Sequence, residues 1–290
     1  IRKVYGQSLY DVLLEPMLVG KFGPHAREVN MAWFWARCKS RTTMLGTYQG
    51  GFQAFADEFA EILKKRGVRL LLNTPVQSIS PAAQGGLDVH TAGSEEHFDQ
   101  VLSTVSPGLT ARMVPALPKD YLDGLLKLKH MGAVVMVLSL KHQLSEEGYY
   151  WFNLPKSAGY PFLALVEHTN FVPSEQYAGE HIVYCGDYLD PQHEYFSLSQ
   201  EQLLERFLPS LKRINPRCTA DWVNKTWLFR TSYAQPIPQV NHSQNIPPIQ
   251  TPIPGLFFAS MSQVYPWDRG TNFAVEIGRR VAGMVMEDVA

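Results

Sequence analysis

The residues with the most to offer chemically lie together near the end of the chain. SMSQVYPWDRGTN, residues 260–272, sets Ser260, Gln263, Tyr265, Trp267, Asp268, Arg269, Gly270, Thr271 and Asn272 in one loop. A strand-to-helix connection usually has about two to six residues; this one is longer and chemically richer. It feeds a helix, TNFAVEIGRRVAGMVM, and a helix N-terminus presents free N–H groups and the positive end of a dipole. The chemistry expected there is the holding of a negatively charged group. Periodicity alone fits equally well an ordinary buried strand–helix unit in which Asp268 and Arg269 make only a surface ion pair.

Nothing elsewhere in the chain assembles a competing centre. No serine lies in G-x-S-x-G, the nine histidines are scattered without metal-ligand spacing, and no metal site is expected. His168 and His193 read as strand-end and loop histidines. Cys38, Cys185 and Cys218 are far apart with no paired spacing. They argue against a zinc site or a disulfide framework and fit a reducing compartment.

The elements that must position the loop are legible on both sides of it. GLFFAS predicts a buried strand through Leu256, Phe257, Phe258 and Ala259 after a Pro-Gly break. The following helix repeats Phe273, Ile277, Val281 and Met284 on one face, with Thr271 or Asn272 placed to cap it. Residues 45–107 form a separate block. LGTYQGGFQAFADEFAEILKKRG predicts a Gly-Gly turn into an amphipathic helix with Phe52, Phe55, Phe59, Ile62 and Leu63 on one face. VRLLLN then predicts a buried strand, TPVQSIS and GGLDVHT two more, and DQVLSTVSP a closing buried run.

Residues 108–250 predict a helix around 118–129 and then the strands MGAVVMVLSLK, GYYWFNLP, YPFLALVEHTN and EHIVYCGDYL. A helix, LSQEQLLERFLPSLKRI, follows with Ser199 as its cap, and TADWVNKTWLFRTSYAQPIP is a last strand with a proline-rich exit. Short connections make this an antiparallel α+β layer. Residues 1–40 predict two helices, broken after Pro16 at Gly20 and Gly23, the second capped by Asn30 with Trp33, Phe34 and Trp35 as core.

With 290 residues and 45% apolar content the chain is long enough for two cored domains. A net charge of −1 gives no reason to expect nucleic acid as a partner. The longest apolar run, GAVVMVLSL, is strand-sized, well short of the roughly 18 residues that a membrane span needs. The expectation is a soluble cytoplasmic protein, with peripheral membrane contact left open.

GLFFASMSQVYPWDRGTNFAVEIGRRVA resembles the C-terminal flavin-binding segment of the flavin amine oxidase, protoporphyrinogen oxidase and phytoene desaturase superfamily. Asp268, Arg269, Gly270, Thr271, Asn272, Ala274, Glu276, Gly278, Arg279 and Ala282 carry the likeness. The resemblance implies FAD as cofactor, with N–H groups at the helix start facing the pyrimidine edge of the flavin ring. It implies a partial Rossmann-like α/β FAD/NAD(P)-binding domain joined to a mixed-sheet α+β substrate domain. Residues 1–40 and 108–250 would form the substrate domain, and 41–107 and 251–290 the middle and C-terminal parts of the FAD domain. Ser260, Trp267 and residues 268–272 and 274 would meet the cofactor, and the backbone at Val76 its adenine. Tyr265 and Tyr233, with Trp267, either line the flavin face or pack as ordinary aromatics.

The reaction implied is hydride removal from a substrate C–H by a desaturase- or oxidase-type enzyme, acting on a small, largely apolar molecule. The family commonly has a lysine four residues after the glycine of the strand resembling MGAVVMVL; Met136 stands there, which disfavours amine oxidation. No cysteine in residues 261–270 offers a covalent flavin link. A flavin-dependent UDP-sugar mutase and a non-catalytic interaction module of the same fold are the alternatives. No G-x-G-x-x-G unit occurs between a strand and a helix, so the chain reads as a fragment expected to be inactive without its N-terminal part.

Overall fold

A computed structural model describes residues 2–40, 42 and 44–289, the side chains of 288 and 289 excepted. In chain order its strands are β1 (Val76–Pro81), β2 (Leu87–Thr91), β3 (Glu95–Phe98), β4 (Val101–Ser103) and β5 (His130–Leu140). There follow β6 (Trp151–Asn153), β7 (Ala164–Glu167), β8 (His181–Leu189), β9 (Val223–Pro236) and β10 (Leu256–Phe258). The principal helices are α1 (Glu15–Phe22), α2 (Met31–Ser40), α3 (Gly51–Lys65) and α4 (Pro107–Met113). The later ones are α5 (Lys119–Lys127), α6 (Gln200–Ile214) and α7 (Thr271–Val289). The chain divides into two compact units, residues 1–29 with 129–237 and residues 30–128 with 238–290.

The first unit is built on a five-stranded antiparallel sheet in the order β6-β7-β8-β5-β9. Alternation along β5 and β8 turns Val134, Met136, Leu138, Val183 and Cys185 to one side, where Leu203, Phe207 and Leu211 of α6 close a fully buried core. Ser199 caps α6 through a complete capping box with Gln202. Pro16 does not break the N-terminal helical stretch, because it lies in the first turn of α1, where no N–H is needed. Of the two predicted breaks, Gly20 lies buried within α1, and the chain turns at Gly23, with φ 54°.

The second unit contains the antiparallel sheet β1-β2-β3 and the parallel pair β4-β10. Ile79, Leu87, Val114, Leu117, Leu125, Leu256 and Phe258 form its main core. The helices of residues 107–127 therefore pack with β1, β2 and β10, and the compact unit runs to Leu128 rather than ending at 107. At the other predicted boundaries, 40 and 250, the units divide at 29 and 237. Asn30 belongs to the second unit, where its amide donates to the carbonyls of Pro238 and Gln239 and its Oδ1 caps Trp33 N–H.

One prediction in this unit fails. VRLLLN forms no strand, and Leu71 and Leu72 are 53% and 81% exposed. No ladder partner lies beside it among the described residues, so its backbone groups have no sheet to satisfy them. The amphipathic helix does form as α3, entered through Gly50 and Gly51, both at φ 81° where only glycine is unstrained. Its apolar face is not buried: Phe52, Phe59 and Ile62 are 68%, 51% and 43% exposed.

One buried charge in the first unit has a measurable consequence. Asp187 is 6% exposed, pairs with Lys156 Nζ at 3.0 Å, and has no hydrogen-bond partner for Oδ1 among the described residues. Burial raises its pKa to about 6, against the opposing pull of Lys156. A carboxyl whose folded pKa lies above its unfolded value contributes stability at low pH that is lost as pH rises through the folded pKa. Asp187→Asn is thus expected to flatten the stability-versus-pH curve between about pH 4 and 6, and at pH 7 to stabilise by up to about 3 kcal/mol. Denaturation midpoints of both proteins across that range check this. A wild-type-to-variant difference that does not vary with pH would show that Lys156 offsets the burial completely.

Candidate functional site

Two parallel strands set where the loop begins. β4 and β10 pair in register, Val101 with Leu256 and Ser103 with Phe258, so both carboxyl ends leave on the same side. In parallel α/β sheets the ligand crevice lies outside those ends. From that edge run Thr104–Ser106, where Ser106 caps α4, and the segment from Ser260 onward. Ser260 is 5% exposed; its Oγ accepts from Ser262 N–H, and Gln263 Oε1 accepts from Ser260 N–H at 2.7 Å. The Gln263 amide then donates to the carbonyls of Phe258 and Pro247. These bonds tie the first half of the loop to β10.

Charge ties down the second half. Arg37 Nη1 donates to Asp268 Oδ2 at 2.5 Å and Trp33 Nε1 to Asp268 Oδ1 at 3.3 Å, while that same oxygen accepts the N–H of Arg269. The Asp268 side chain is 13% exposed, so this is a shielded ion pair rather than the surface Asp268–Arg269 pair that periodicity allows. Arg37 and Trp33 are not legible as site residues, because they lie more than 200 positions from their partner. Their only signal is a tryptophan-rich helix. Trp33 and Phe34 are buried as predicted; Trp35, 52% exposed, is not core and carries the Lys39 ammonium over its ring.

The aromatic residues of the loop have defined neighbours. Trp267 stacks on Phe273, with centroids 5.9 Å apart. Tyr265 lies 5.4 Å from the ring of His242, whose Nε2–H donates to the Ser262 carbonyl. Burial lowers the His242 pKa, which keeps the ring neutral. The helix starts at Thr271 as predicted, but Ala274 N–H bonds to the Gly270 carbonyl, so Gly270, and neither Thr271 nor Asn272, holds the cap position. Glycine tolerates that position well. A Cβ on Gly270 would meet Asn272 Oδ1 at 2.7 Å. The first turn holds no acidic residue, so its positive end is not neutralised from within the helix.

Ser260, Trp267, Asp268, Arg269, Gly270, Thr271, Asn272 and Ala274 thus form one continuous stretch anchored at both halves. Val76 stands at the start of β1, 36% exposed. Tyr233 belongs to the first unit, where its ring meets that of His130 at 5.0 Å.

The sequence profile of the family described as flavin containing amine oxidoreductase matches residues 3–286. The chain belongs to this family. Its cofactor is FAD, and the acid-free, glycine-capped start of α7 fits the electron-rich edge of a flavin ring. No match is found among curated proteins. Among solved structures the fold is similar to a protein provisionally called a protoporphyrinogen oxidase from Exiguobacterium sp. 255-15, at 18% identity and TM-score 0.68, covering 90% of this chain and 61% of that one. It is similar to reduced UDP-galactopyranose mutase at 14% identity and TM-score 0.65, covering 84% and 57%. A putrescine oxidase mutant matches at 16% and 0.58, covering 82% and 53%. The chain therefore spans less than two thirds of the length of each.

Met136, at the position where the resemblance leads one to expect a lysine, is a core side chain. It is fully buried on the α6 side of the sheet; the residues turned to the open side are Val135 and Val137.

Removing either partner of the Arg37–Asp268 pair should loosen the loop. Asp268→Ala is expected to cost about 1–3 kcal/mol and to speed proteolysis within residues 264–270. Denaturant titration and limited digestion measure both. Wild-type behaviour in both assays would reduce the pair to a surface contact.

Proposed function

We propose that the protein is an FAD-dependent oxidoreductase of the oxidase or desaturase type, acting on a small, largely apolar substrate. FAD, when bound, supplies a hydride acceptor. The observation that carries the substrate reading is the open side of the five-stranded sheet. A trough of about 510 Å³ lies there, lined by Val135, Val137, Tyr184, Trp227 and Phe229. Cross-strand register explains the lining: Val135 faces Phe229, and Val137 faces both Trp227 and Tyr184. A pocket of mostly apolar residues suits chemistry in which the cofactor does the work and the protein orients and excludes water.

On the cofactor side, the chain's own groups supply binding and charge stabilisation. The N–H groups of Thr271, Asn272 and Phe273 at the start of α7 would receive negative charge on the flavin ring. Trp267, stacked on Phe273, would flank it, and the Arg37–Asp268 pair would hold the intervening backbone in place. Val76 would offer main chain to the adenine. The likeness to the mutase is one of fold, and the trough lining contains no arginine to grip a diphosphate.

Purified full-length protein, reconstituted with FAD, is expected to show flavin absorption bands and to be bleached anaerobically by an apolar substrate from a panel of polyprenyl, porphyrinogen, amine and nucleotide-sugar compounds. The absence of flavin bands would remove the cofactor reading. Bleaching by the nucleotide sugar alone would replace the substrate reading.

A further inference from the structure

Tyr184, which forms one wall of the trough, is part of a cluster that the proposed reaction leaves unused. Its ring meets the edge of His168 at 5.8 Å, and His168 Nε2 shares a hydrogen bond of 2.8 Å with the Tyr177 hydroxyl. Tyr150 is near enough to Tyr184 to influence it electrostatically. Among the described residues no hydrogen bond engages the Tyr184 hydroxyl, whereas that of Tyr177 is taken by His168. Burial pushes up the pKa of Tyr184, Tyr177 and Tyr150 and pushes down that of His168. Three phenols and an imidazole are therefore all neutral near pH 7.

The charges nearest by register do not bias this end either way. In the next row of the same sheet face, Ser139 lies opposite Lys225 and donates to the carboxylate of Glu180, which makes one cation and one anion. A lining whose one hydroxyl is the phenol of Tyr184 selects ligands by hydrogen bonding, since an ionic head would lose its hydration without gaining a counter-charge.

We infer that Tyr184 is a specificity-determining residue. Its hydroxyl receives an uncharged oxygen, a hydroxyl or carbonyl, at one end of a flat apolar substrate whose body lies on Val135, Val137, Trp227 and Phe229. This rests on the reading of the trough as the substrate surface.

The test uses a matched series on the full-length, FAD-loaded protein: naphthalene, 2-naphthol, 2-naphthoate and 2-naphthylmethylammonium, titrated by fluorescence. The naphthol is expected to bind about tenfold more tightly than naphthalene, the increment of one good hydrogen bond, and both ions more weakly than the naphthol. Tyr184→Phe should erase the naphthol preference and leave naphthalene binding unchanged. Trp227→Ala, at a position 42% exposed and so safe for folding, should weaken every member of the series. If Tyr184→Phe keeps the preference, or if either ion binds best, the inference about the polar end is wrong while the trough stands. If Trp227→Ala changes nothing, the trough itself is not the substrate surface.

Discussion

Two strands of three residues each, Val101–Ser103 and Leu256–Phe258, hold together a unit whose parts are separated in sequence by the whole of residues 129–237. So short a parallel pair has little stability of its own. Its strength comes from β10, which is buried on both faces as a parallel strand requires. Leu256 and Phe258 enter the core made with Ile79, Leu87 and Leu125, while Phe257 turns the other way to meet Ile249, Ala259 and Val281. Gly255 makes the approach possible: at φ 74° it brings its backbone so close to Asp99 that a Cβ would lie 2.7 Å from the Asp99 carbonyl oxygen.

That pairing decides what the following loop can do. Once β10 is fixed, the Ser260–Gln263 capping box fixes the chain leaving it, and Val281 on α7 packs against Phe257 and Ala259 beneath. The loop is thus held at its start by hydrogen bonds and at its end by a packed helix. The Arg37–Asp268 pair, shielded from water and so less screened than a surface pair, secures the middle. A helix N-terminus can hold charge usefully only if it is rigid, and three independent anchors supply that here.

The first unit solves a different problem. An antiparallel sheet covered by a helix on one face leaves its other face open. Alternation along β5 sends Met136 into the α6 core and Val135 and Val137 to the trough. One residue of register separates a core side chain from one that lines the open face.

Much was legible in the sequence because it is local. The capped α6, the alternating strands β5, β8 and β9, the Gly-Gly entry to α3 and the long loop before α7 all follow from spacing and turn chemistry within about 15 residues. The family likeness rests on the same local stretch, Asp268 to Ala282. What only the tertiary structure decided is non-local. It includes the partnership of Arg37 and Trp33 with Asp268, the packing of residues 107–127 with β10, the exposure of VRLLLN and the α3 face, and the meeting of Tyr184 with His168 and Tyr177. Local pattern says that a side chain is apolar or charged and which face it shares. Which surface covers that face, or which distant charge answers it, depends on chain segments that sequence spacing does not relate.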